Sequence, residues 1–105
     1  MIKVKKSNNQ ITVTGHANYA EYGKDIVCAS ASSIIITSIN AALRIENSSL
    51  SYLEKKDKLT INILSDNKYV LLIIENMFAM LQELAITYKN NIKIEKEERP
   101  WILWN

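Results

Sequence analysis

The chain contains one cysteine and one histidine, Cys28 and His16, twelve positions apart, and its only two glycines, Gly15 and Gly23, stand in the same stretch. A thiol and an imidazole are the parts of a nucleophile and its base. The imidazole takes the thiol proton, the sulfur attacks a carbonyl, and the proton is passed on to a departing amine. Asp25 is a good helix N-cap, and the apolar run from Ile26 onward has no glycine or proline to interrupt it. A helix from Ile26 to about Ile45 is therefore expected, with Cys28 in its first turn. Backbone N–H groups there lack intrahelical partners and carry the positive end of the helix dipole, an environment that favours thiolate over thiol.

The histidine is placed by a different pattern. Ile11 and Val13 alternate with Thr12 and Thr14 as in a half-buried strand, and Gly15 ends the run, so His16 sits at a strand terminus. A strand end and a helix start joined by a loop of about nine residues readily lie side by side. Other readings compete at this level. A free cysteine in an apolar helix commonly packs as a small hydrophobe, and a lone histidine at a strand end is commonly a surface residue. A thiol redox sensor lacks a second cysteine to resolve the oxidised sulfur. One histidine and one cysteine supply only half of a structural zinc shell, so neither metal nor cofactor is expected.

The run Gly15-His16-Ala17, then Tyr22-Gly23, then Asp25-Ile26-Val27-Cys28-Ala29, with Ser32 one turn further, resembles the signature of the ribosomal-processing cysteine protease family Prp of Firmicutes and related bacteria. The likeness extends over nearly the whole chain in size and element order. It implies that His16 and Cys28 form a catalytic dyad. It further implies a cysteine endopeptidase that removes the N-terminal extension of large-subunit ribosomal protein twenty-seven, cutting after aromatic residues, a step that ribosome maturation requires. The family also implies a homodimer and a mobile loop between the dyad residues.

Length and composition suit a single domain over residues 1–105, with 48% of residues apolar and enough chain for one core. One cysteine allows no internal disulfide, and Met1 to Lys6 lacks the apolar stretch of a signal peptide. No segment is expected to approach the roughly twenty apolar residues of a membrane span, so a cytoplasmic protein without membrane contact is expected. With 13 Lys+Arg against 11 Asp+Glu, the net charge of +2 gives no sign of direct nucleic-acid binding. The expected partners are a ribosomal protein precursor, as substrate, and a second copy of the chain.

The elements read as strand, strand, helix, strand, strand, helix, strand. Ile2 and Val4 alternate with lysines, residues 7–10 turn, and Ile11 to Val13 return as the first hairpin. After the first helix, Asn47-Ser48-Ser49 breaks the chain before a second hairpin, Leu50 and Tyr52 to Leu59, Ile61 and Ile63, with the charged turn Lys55-Lys56-Asp57-Lys58. Asp66 or Asn67 caps a second helix whose stripe of Val70, Ile74, Met77, Phe78, Leu81, Leu84, Ala85 and Tyr88 is core. Ile92 and Ile94 form the last strand. The expected fold is α+β, ββαββαβ, an antiparallel sheet of about five strands with both helices on one face. The first helix is apolar on more than one face, and its surplus is expected against a second subunit or against helix two.

Around the dyad, Asp25 caps or positions, Gly15 shapes the strand end, and the Ser32 hydroxyl either holds the active-site geometry or bonds back to the Cys28 carbonyl. Backbone N–H groups at the helix start would meet the oxyanion. The segment from Ala17 to Lys24, with Tyr19, Glu21, Tyr22 and Gly23, is expected as a substrate-binding loop. Residues 99–105 form a hydrophobic tail with Trp101 and Trp104 that departs from the family pattern and must dock, either on a subunit surface or along the peptide groove.

Overall fold

A computed structural model describes residues 1–15 and 22–97, with the side chains of 22–25 left aside. The order is β1 (Ile2–Ser7), β2 (Gln10–Thr14), α1 (Tyr22–Ile45), β3 (Leu50–Lys55), β4 (Lys58–Ile63), α2 (Lys68–Thr87) and β5 (Ile92–Glu97). This is the ββαββαβ order read from the sequence.

The strands form one sheet in the order β3-β4-β2-β1-β5. Three of its four pairings are antiparallel, but β5 runs parallel to β1, so the sheet is mixed rather than wholly antiparallel. The reason is topological. Helix α2 spans about 30 Å at 1.5 Å per residue, enough to carry the chain from β4 across the sheet to its far edge, where β5 enters beside the start of β1. The junction is held by Ile2 N–H donating to the Asn91 carbonyl at 2.9 Å.

Strand alternation divides the sheet into an apolar inner face and a polar outer one. Ile2, Val4, Ile11, Ile61, Ile63, Leu50 and Ile92 point inward and are buried. Against them α1 lays Val27, Ala31, Ile35, Ile39 and Ala42, and α2 lays Val70, Ile74, Met77, Phe78, Leu81 and Ala85, so both helices cover one face. Asn67, one of the two candidate caps, closes the start of α2: its side-chain oxygen accepts from Tyr69 N–H at 2.8 Å and Val70 N–H at 3.4 Å. Fully buried Ser49 ties the end of α1 to β3, its hydroxyl donating to the Ala42 carbonyl at 3.2 Å.

Two expectations change. Ile26–Ile45 and Lys68–Thr87 are each twenty residues and apolar enough, by length and composition, to cross a membrane. The sequence-based expectation that no segment approaches this is corrected. Each helix uses its apolar stripe to cover the sheet, and α2 turns Glu75 and Glu83 outward, which a lipid surround would penalise. The apolar surplus of α1 is not absorbed by α2 either: Ile26, Ile36 and Ile45 remain exposed, Ile36 at 57%.

Candidate active site

Strand β2 ends at Thr14, and Gly15 turns the chain with φ +72°, a left-handed conformation that glycine adopts without steric cost. A Cβ at this position would collide with the Met1 carbonyl oxygen. The Gly15 N–H reaches the Asp57 carbonyl at 3.4 Å, joining the strand end to the tip of the β3–β4 hairpin. Glycine is thus required twice here, by torsion and by space. His16 follows directly, and it lies outside the described residues together with Tyr19 and Glu21.

Helix α1 begins at Tyr22, three residues before Asp25. Tyr22 and Gly23, expected in the substrate loop, are therefore helical, and Asp25 is inside the helix rather than its cap. Cys28 is the seventh residue of α1, about 9 Å along the axis from its start. The first four N–H groups of the helix are the unpaired ones, so Cys28 stands beyond them and beyond the strongest part of the dipole. The expectation of a first-turn cysteine is corrected, and with it the idea that the helix start alone supplies oxyanion donors beside the sulfur. Val27 is the first fully buried member of the α1 stripe, and the helix runs five residues ahead of it, from Tyr22.

Cys28 is half-buried, packs against the core cluster and is not in a disulfide. It also lines an open groove of about 870 Å³. One wall is α1, with Cys28, Ser32, Ile35 and Ile36; the floor holds Val13 and Leu59; the opposite rim is the β3–β4 hairpin from Glu54 to Lys58. Ser32 is exposed on that wall, one turn beyond Cys28. Among the described residues, back-bonding of a helical serine is seen at Ser38, whose hydroxyl donates to the Ile34 carbonyl at 2.7 Å, and not at Ser32. The groove continues beside Ile36 into a smaller hollow with Ile39, Asn40 and Tyr52.

The hairpin rim was missed in the sequence, where residues 55–58 read only as a turn. Its signal is register: Thr14 pairs with Lys58 and Val13 with Leu59, which sets the hairpin tip beside the strand end that delivers His16. The hydrophobic tail, residues 99–105, lies outside the described residues. Among the described residues no group of three or more His, Cys, Asp or Glu could hold a metal ion.

A solitary thiol stands in the wall of an open groove, on a helix packed across the five-stranded sheet of an α+β domain. The model of one protein family, cysteine protease Prp, matches residues 1–93. The ribosomal processing cysteine protease Prp of Staphylococcus aureus is 32% identical over 87 residues, covering 80% of this chain and 82% of that protein. The protein of the same name from Mycoplasma genitalium is 31% identical over 99 residues, covering 92% and 97%. The crystal structure of the S. aureus protease Prp with a covalently linked product peptide superposes with a TM-score of 0.78 at 25% identity, covering 91% of this chain and 97% of that one. The chain belongs to the cysteine protease Prp family.

Proposed function

We propose that this protein is the endopeptidase that removes the N-terminal extension of large-subunit ribosomal protein twenty-seven, cutting after aromatic residues, with Cys28 as nucleophile and His16 as its base. The observation that carries the reading is the Cys28 sulfur on the wall of an open groove of about 870 Å³, in a chain of this family. The covalently linked product peptide in the S. aureus relative accords with acyl-enzyme chemistry.

His16 takes the thiol proton, and the sulfur attacks the scissile carbonyl to give a tetrahedral oxyanion. The C–N bond then breaks as His16 hands its proton to the departing amine, leaving a thioester on Cys28. Water, losing a proton to His16, attacks the thioester; the new carboxylate leaves, and the sulfur departs as thiolate and regains its proton. The apolar floor of Val13 and Leu59, with Ile35 beside it, suits an aromatic side chain. Asp25 and Ser32, at i−3 and i+4 from Cys28, act as positioning residues, and Tyr19 and Glu21 belong to the substrate-closing segment that leads into α1 at Tyr22 and Gly23. The homodimer finds support in exposed Ile36 and Tyr52, which line the hollow beside the groove. A cytoplasmic location completes the proposal.

The test is a peptide spanning the precursor's cleavage site, followed by mass spectrometry. The purified protein should release the fragment ending in an aromatic residue, and Cys28→Ala or His16→Ala should each lower kcat/KM by about 10³-fold or more. A wild-type protein that binds the peptide and yields no product would instead be a ribosome-associated binding module with an inert thiol.

A further inference from the structure

The outer face of the sheet carries a charge order that appears only once the strands are in register. Lys55 pairs with Lys58, Lys58 with Thr14, Thr14 with Lys3, and Lys3 with Lys93. Inward-facing Ile2, Val4 and Ile92 set Lys3 and Lys93 on the outer side, and the pairings carry the same side to Thr14, Lys58 and Lys55. Four exposed lysines and a threonine thus cross all five strands in one row. At the usual inter-strand spacing, the row is about 19 Å long.

The next row, Leu53, Thr60, Thr12, Lys5 and Glu95, balances its charges, and the third, Ser51, Asn62, Gln10, Ser7 and Glu97, is acidic. Lys5 is spent on Glu97 at 2.9 Å, and Gln10 and Asn62 satisfy one another at 3.0 Å. In the lysine row the one ion pair among the described residues is Lys93 with Glu95, at 4.0 Å and exposed on both sides, which neutralises little. A net charge of only +2 hides a face that is cationic at one end and acidic at the other.

We propose that this row is a docking surface for the phosphate backbone of double-stranded RNA. Lysine ammonium groups are point charges suited to phosphate without sequence preference, and the threonine supplies a hydroxyl donor. The three outer rows contain no aromatic side chain on which an unpaired base can stack, so a duplex backbone fits and a single strand read through its bases does not. The row ends at the groove, since Thr14, Lys55 and Lys58 line both. RNA bound here therefore lies beside the peptide site and favours substrates presented on RNA. The electrostatic fit stands independently; the choice of RNA over DNA rests on the ribosomal substrate proposed above.

The experiment is fluorescence anisotropy with a labelled 20-base-pair RNA duplex from 50 to 200 mM salt, with a DNA duplex and poly-glutamate as competing arms. Four phosphate contacts predict that the association constant falls about 100-fold over that range, and that Lys3→Gln/Lys93→Gln reduces the fall to about tenfold. Lys3→Glu/Lys93→Glu should weaken binding further, and all variants should cleave a short substrate peptide at the wild-type rate, because neither residue lines the groove. Loss of peptide cleavage in the wild-type protein would strike the peptidase reading, while duplex binding with the predicted salt slope would still bear out the electrostatic docking surface. No duplex binding at 50 mM salt, equal binding by the variants, tighter binding of DNA, or full displacement by poly-glutamate would each overturn it.

Discussion

The two helices cover the same face of the sheet but are built differently. Helix α2 is capped by Asn67 and sinks five large or medium side chains and Ala85 into the core. Helix α1 buries a stripe that includes Ala31 and Ala42 and lends Cys28 and Ser32 to the groove, and both helices leave large apolar side chains exposed, Ile26, Ile36 and Ile45 on α1 and Tyr69, Leu71, Leu72, Met80 and Ile86 on α2. One helix serves stability and the other presents chemistry.

Substitution can break that contrast, and the largest stability effect belongs to α2. Leu81→Ala, at a fully buried position, should cost about 2–5 kcal/mol in denaturant unfolding. Cys28→Ala, at a half-buried position on the groove wall, should leave the unfolding midpoint much closer to wild type while removing activity. Equal destabilisation by the two would make the thiol a core residue.

Next in size is Gly15→Ala. It places a Cβ against the Met1 carbonyl at a positive φ, so about 2 kcal/mol of stability should be lost, read by thermal unfolding. Peptide cleavage should fall as well, because the strand end that carries His16 must shift. A variant of wild-type stability would show that the turn accommodates a side chain.

The smallest effect sharpens the comparison of helix starts. Asn67→Ala should cost about 1 kcal/mol through the two N–H groups it accepts from. Asp25→Ala, inside α1 rather than at its cap, should cost less stability and act on kcat instead. Cleavage kinetics beside unfolding curves separate these roles, and an Asp25 variant that only loses stability would restore it to the cap.

Much of this was legible in the chain because local chemistry decided it. Period-two alternation from Ile2 to Val13 and the 3.6-residue stripe from Val70 to Ala85 state their elements directly. The proposed pairing of Cys28 with His16 rests on each being a single copy in the chain, and His16 lies outside the described residues. The features that escaped are those that register and packing decide. Nothing local tells β5 to run parallel beside β1, and Asp25 looks like a cap although the helix begins three residues before it, at Tyr22. The hairpin rim and the lysine row depend on two long-range pairings, Thr14 with Lys58, 44 positions apart, and Lys3 with Lys93, 90 apart.

The central claim is a covalent one, and acid quenching during turnover of a precursor peptide tests it most directly. Intact-mass and fragment analysis should find the peptide's N-terminal portion attached as a thioester to Cys28, with none on the Cys28→Ala protein. Continued cleavage by Cys28→Ala, with no acylated species in either protein, would contradict the account.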